Sequence, residues 1–175
     1  MNIKSFLKEL LLTLLMAAVL FVVFLFVIQR SPVDGTSMLP NLENGQQLII
    51  SRVVYFFHPP QRGDIITLHP PFKSPKPFIK RVIGLPGETV QIKSGKVYID
   101  GKPLAEPYIK QSFTYSMAAV KIPEGEYFVL GDNRDISEDS HYFGPIPREN
   151  IIGKAWLSIW PFDRFGLAPN YKFAP

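Results

Sequence analysis

The chain has 175 residues, no cysteine and a formal net charge of +4. That length suits one domain rather than two. The missing cysteines exclude disulfides, thiol nucleophiles and cysteine metal sites, and a weak, scattered basic excess argues against nucleic acid as a partner.

Composition divides the chain at Arg30, because all 17 prolines lie beyond it. Before that point runs LLLTLLMAAVLFVVFLFVI at residues 10–28, in which Thr13 is the one residue that is not apolar. Its 19 residues, at about 1.5 Å rise each, reach roughly 28 Å, close to the hydrocarbon thickness of a bilayer. A core helix would keep a polar face, and this run has none. A cleaved signal peptide would have a shorter apolar core and a small-x-small site after it, whereas Gln29-Arg30-Ser31-Pro32-Val33-Asp34 follows here. The expectation is a single-pass anchor at residues 10–28. Lys4, Lys8 and the terminal amine precede it and Arg30 follows it. The positive-inside rule then places residues 1–9 in the cytoplasm and residues 31–175 outside, with the cell membrane as location and the lipid bilayer as a partner.

Beyond the anchor, short β-type runs recur at residues 47–55, 64–68, 78–83, 88–92, 97–100, 126–130 and 151–159. Turn residues punctuate them, as in Pro86-Gly87, Asp100-Gly101 and Gly131-Asp132-Asn133. Residues 69–76, HPPFKSPK, read as a proline-rich loop, and no helical pattern of ten residues appears in this part. The expected class is mainly β, with folded antiparallel or barrel-like sheets.

Three segments carry side chains suited to chemistry. Ser37 lies between a glycine turn and a proline in GTSMLP, residues 35–40; it is either a turn serine or a nucleophile. In the strand at residues 78–83, alternation puts Lys80 on one face with Phe78 and Val82, and Arg81 on the other with Ile79 and Ile83. A lysine on an apolar face loses hydration, its ordinary pKa of about 10.4 falls, and the neutral amine can act as a base. The alternative is a lysine that snorkels to water. The third segment, GDNRDISEDSH at residues 131–141, is either a solvated loop or a buried polar network that positions a catalytic group.

These segments, in order, resemble the sequence boxes of the bacterial type I signal peptidases. The match rests on GTSMLP (35–40), RGDIITL (62–68), KRVIGLPGE (80–88) and GDNRDISEDSHYFGPI (131–146), and extends to GKAWLSIWP (153–161). The resemblance implies an anchored serine endopeptidase that removes signal peptides from exported preproteins at Ala-x-Ala-like sites through an acyl-enzyme, with no metal or organic cofactor. It implies that Ser37 is the nucleophile, Lys80 its general base and Ser137 the hydroxyl that orients the lysine. Asp132, Arg134 and Asp139 correspond to residues that hold the active-site loop, and Met38 to one that packs beside the nucleophile; Arg81 is counted with these supporting groups.

Two positions depart from the pattern. Some relatives carry a serine where this chain has Gly35, so the oxyanion contact falls to backbone N–H groups, that of Ser37 first. Arginine is frequent at the position of His141, so a pair with Asp139 here depends on histidine protonation. Three rival readings differ from this one: a triad built on His141 with Asp139 and Ser140, a self-cleaving repressor peptidase, which would carry a DNA-binding domain, and an anchored extracytoplasmic binding module without catalysis.

Overall fold

The computed structural model describes residues 3–173, and the side chains of residues 22–27 are outside the described residues. Residues 1–2 and 174–175, which belong to the expected N-terminal and outer segments, also lie outside them. Helix α1 spans Ile3–Val27. The helix ends one residue before the expected anchor boundary, because Ile28 begins strand β1 (Ile28–Pro32) and pairs with Ser51. Part of the 10–28 expectation therefore falls on side chains outside the described residues. Among the described residues, no helix is long and apolar enough to cross a membrane.

The remaining elements follow in turn: β2 (Gln47–Ser51), α2 (Val54–Phe57), β3 (Ile65–Leu68), β4 (Phe78–Gly84), β5 (Thr89–Lys93), β6 (Lys96–Ile99), β7 (Lys102–Pro103), β8 (Met117–Lys121), β9 (Glu126–Leu130), α3 (Ser140–Phe143), β10 (Ile146–Pro147), β11 (Ile151–Trp160) and β12 (Gly166–Leu167). The run expected as one strand over residues 47–55 breaks at Ser51 and turns into the short α2. The edge pieces β1, β7, β10 and β12 and the largely exposed β8 carry too little apolar alternation to be seen in sequence.

Two antiparallel sheets result. The larger has the order β1-β2-β11-β3-β4-β9-β10, with β12 paired to β11; the smaller is β7-β6-β5-β8. The centre of the larger sheet is covered on both faces, which is why β3 and β4 read as nearly unbroken apolar runs. Leu48, Ile50, Ile65, Ile79 and Ala155 pack on one face with Met38 and Leu42. Ile66, Leu68, Val82, Val129 and Ile151 pack on the other with Tyr55 and Ile146. A third cluster joins the sheets, where Ile83, Phe128 and Leu130 meet Val90, Ile92, Val97 and Ile122. Strand β4 touches all three clusters, so the residues it carries are held from every side.

Strand β11 passes close to β2 at Gly153. A methyl group there would lie 2.5 Å from the Ser51 carbonyl oxygen and 2.9 Å from the Ile50 Cγ2. Backbone cannot yield as a side-chain tip can, so Gly153→Ala should destabilise the fold by about 1–3 kcal/mol through overpacking. Urea unfolding followed by tryptophan fluorescence should show a lower midpoint at unchanged slope; an unchanged midpoint would refute the tight approach.

Candidate active site

Ser37 lies on the loop between β1 and β2. That loop is closed on itself by Val33 N–H donating to Gln46 O (2.8 Å) and Gly45 N–H donating to Val33 O (2.8 Å). Gly35 takes φ +90°, in the left-handed region that favours glycine, and its N–H donates to Asn44 Oδ1 at 2.8 Å. Met38 is buried with Val33, Leu42 and Leu48. Turn bonds from Leu39 N–H to Thr36 O and from Leu42 N–H to Met38 O hold the backbone around it. Met38 thus anchors the loop in the core while Ser37, next to it, stays half-buried at the surface.

Lys80 comes from the middle of β4 and is 3% exposed. Its Nζ donates to Ser37 Oγ at 2.9 Å and to Ser137 Oγ at 3.1 Å. Its cross-strand neighbour is the buried Ile66, and the Phe78 ring lies 5.4 Å from Nζ. Burial in this apolar surround lowers the amine from 10.5 to about 8, while the Asp139, Glu138 and Asp132 carboxylates oppose the fall.

The polar loop at residues 131–139 is wrapped around these two groups. Asp139, fully buried, accepts from Gly131 N–H at 2.8 Å, and so ties the two ends of the loop together. Its other oxygen accepts from His141 N–H and faces His141 Nδ1 at 2.7 Å. Asp139 also caps α3. Arg134 Nε–H donates to Gly131 O at 2.9 Å. Asn133 sews the loop to the serine turn, with its N–H on Ser37 O (2.9 Å) and its side-chain amide on Thr36 O (3.3 Å). Gly131 is where the strands of this weave come closest. A Cβ there would lie 2.6 Å from both Ser37 O and Ser137 Cβ, so only glycine fits.

Arg81 is buried completely and projects from β4 on the face away from Lys80. Its guanidinium grips Asp132 with two parallel bonds, Nε to Oδ1 at 2.8 Å and Nη2 to Oδ2 at 2.6 Å. Asn41 Nδ2 donates to the same Asp132 oxygen at 2.8 Å. Adjacent residues of one strand thereby hold the Lys80 amine and the loop beside it. All nine singled-out residues (Gly35, Ser37, Met38, Lys80, Arg81, Asp132, Arg134, Ser137 and Asp139) converge on this one region.

The Ser37 N–H finds no acceptor among the described residues. Ser37 lines a cleft of about 370 Å³ together with Asp34, Thr36, Lys76, Phe78, Ile79 and Glu138, among others. A free N–H beside a serine hydroxyl is the arrangement needed to receive an oxyanion. Of the histidine triad, the His141–Asp139 contact is present, but the buried Ser140 Oγ accepts from Val129 N–H at 3.0 Å and so serves the fold. Among the described residues, no grouping of three or more His, Asp or Glu could hold a metal ion.

Sequence reasoning passed over Asn41, Asn133 and Gly131 as individual site residues. The last two lie in a segment whose density of polar groups was itself the signal. Asn41 offered none, because its partner Asp132 is 91 residues away.

Comparison with known proteins identifies the family. The family model described as "Signal peptidase, peptidase S26" matches residues 4–160. A probable signal peptidase I-1 from Synechocystis sp. is 44% identical over 179 residues, covering 98% of this chain and 91% of that protein. A signal peptidase I from Leptolyngbya laminosa is 48% identical over 148 residues, 81% of this chain and 73% of its own. A crystal structure of a signal peptidase I from Enterococcus faecalis superposes with a TM-score of 0.49 at 37% identity, covering 54% of this chain and 95% of that one. With a family model spanning most of its length and relatives this similar across it, the chain belongs to the signal peptidase family, peptidase S26.

Proposed function

We propose that the chain is a membrane-anchored serine endopeptidase that removes signal peptides from exported preproteins, with Ser37 as nucleophile and Lys80 as general base. The observation that carries this reading is the 2.9 Å contact between Lys80 Nζ and Ser37 Oγ at a buried amine.

In the neutral form, Lys80 turns its lone pair to the Ser37 hydroxyl and donates an N–H to Ser137 Oγ. As Oγ attacks the scissile carbonyl carbon, its proton passes to Nζ. The tetrahedral oxyanion is received by the Ser37 N–H. The C–N bond then breaks, and the Lys80 ammonium returns the proton to the leaving amine. In deacylation Lys80 takes a proton from water as the water oxygen attacks the ester carbonyl; the C–Oγ bond then breaks and the Lys80 ammonium returns the proton to Ser37 Oγ. Asp132, Arg134 and Asp139 do not touch the reacting atoms; they hold the loop that presents Ser137. An extended substrate fits the cleft between residues 32–37 and 76–80, adding main-chain hydrogen bonds beside the strand, and the Ala-x-Ala preference is carried over from the family resemblance.

The anchor reading rests on the apolar run at residues 10–28 and on Lys4 and Lys8 before it. It places the N-terminus in the cytoplasm and residues 31–175 outside. Phe56 and Phe57, 82% and 84% exposed, are suited to contact with a bilayer surface. Anchoring holds the enzyme and the apolar segment of its substrate in one plane and raises their effective concentration.

Ser37→Ala and Lys80→Ala should each lower cleavage of a preprotein by about a thousandfold or more; full activity in either variant would refute its assigned role. The rate should also follow the Lys80 amine. Below about 8 the ammonium accumulates and cannot accept a proton, so kcat/KM should drop by about tenfold per pH unit on the acid side. A rate that stays level down to pH of about 6 would exclude a lysine base. Membrane vesicles washed with alkaline carbonate should retain the chain; its release into the wash would rule out a spanning anchor.

A further inference from the structure

The segment at residues 104–116, between β7 and β8, contains none of the motif residues, yet it lies against the back of the catalytic loop. The Tyr108 ring is 4.2 Å from the Arg81 guanidinium, and Tyr108 O accepts from Asn41 Nδ2 at 3.0 Å. Tyr115 stacks on His141 at 4.7 Å, and the Phe113 ring lies 5.2 Å from the Arg134 guanidinium. At the centre is Glu106. One of its oxygens accepts from Arg134 Nη1 at 3.1 Å, and the other accepts from Arg134 Nη2 and from Tyr108 O–H, the latter at 2.7 Å. The Arg134 and Glu106 side chains are 1% and 9% exposed.

We propose that Glu106 is a positioning residue for the cleavage reaction, acting through Arg134 and Gly131 on Ser137 and Ser37. This rests on the Ser37–Lys80 reading and adds to it the element that sets the geometry from outside the motifs. The chain of contacts is short. Glu106 fixes the far nitrogens of Arg134; Arg134 Nε–H holds Gly131 O at 2.9 Å; Gly131 packs directly against Ser37 O and the Ser137 side chain. Without Glu106, two guanidinium nitrogens are buried without an acceptor. Arg134 then moves to find water or another oxygen, and Gly131 O loses its donor. A displacement of about 1 Å at a reacting group costs up to about a hundredfold in rate. Replacing both members by apolar residues of similar size costs little net stability, so a double replacement separates the effect on rate from the effect on folding.

The test uses the full chain in detergent and a preprotein with an Ala-x-Ala site, with kcat corrected for the folded fraction. Glu106→Gln should lower kcat by about tenfold or more and leave KM within about twofold, and Glu106→Asp should recover part of the loss. The double variant Glu106→Met with Arg134→Met replaces the ion pair by an apolar one; it should melt near the parent temperature and still turn over slowly. Parental kcat in Glu106→Gln, a loss confined to KM, or parental kcat in the double variant would each overturn the proposal. If Glu106→Gln does not fold, the double variant decides alone. Ser37→Ala is assayed beside them. Cleavage by that variant would refute the dyad itself, whereas an inert Ser37→Ala beside a full-rate Glu106→Gln would refute the positioning role only.

Discussion

Arg81 has no exposed surface, and a buried guanidinium must have every donor answered. Two of its nitrogens are taken by Asp132, and Nη1 donates to Gly63 O and Pro169 O at 2.9 and 3.1 Å. These acceptors come from the loop after β9, the turn before β3 and the tail after β12, while the Tyr108 ring covers the guanidinium from the second sheet. One side chain thus ties four separated stretches to the middle of β4. Removing either member of such a pair leaves an uncompensated buried charge, at a cost of about 3–5 kcal/mol. The interaction therefore serves the arrangement of the loop more than net stability.

Lys80 obeys the opposite logic on the opposite face. It is nearly as deeply buried, but the groups within hydrogen-bond reach of its amine are the two serine hydroxyls. The carboxylates that act on it from Asp139, Glu138 and Asp132 form no direct ion pair with it, so desolvation wins and the amine is kept near the point of giving up its proton. A carboxylate in direct contact would have restored a high pKa and removed the base. Strand alternation makes this possible, because consecutive positions put a fully paired cation and an unpaired one in different surroundings.

The second sheet follows from the same constraint. Asp132, Arg134 and Asp139 place three charges on one short, buried loop, and such a network is stable only when every member is satisfied. Arg81, Glu106 and His141 supply the partners. Glu106 and the rings of Tyr108, Phe113 and Tyr115 arrive on the connection between β7 and β8, so the small sheet contributes to the ordering of the site as well as to the core.

Much of this was legible in the residues. The strand at 78–83, the separation of Lys80 and Arg81 by face, and the polar loop around Ser137 follow from period-two alternation and local composition, which are properties of neighbours in sequence. So does the apolar run at residues 10–28, although the helix yields Ile28 to β1. What the sequence could not state is which face of β4 would be covered. Both are, so Lys80 and Arg81 are each buried, Arg81 completely and Lys80 with only the edge of the cleft open to it. Nor could it say that Ser37 would meet a lysine 43 residues away, that Asn41 would reach Asp132, or that Glu106 would stand behind Arg134. Those contacts depend on how distant strands register and how loops close over them. The residue types and the order of the motifs were determined by the sequence alone. The tertiary structure decided the burial of Lys80, and with it the basicity of its amine, because desolvation belongs to the packed environment and not to the residue.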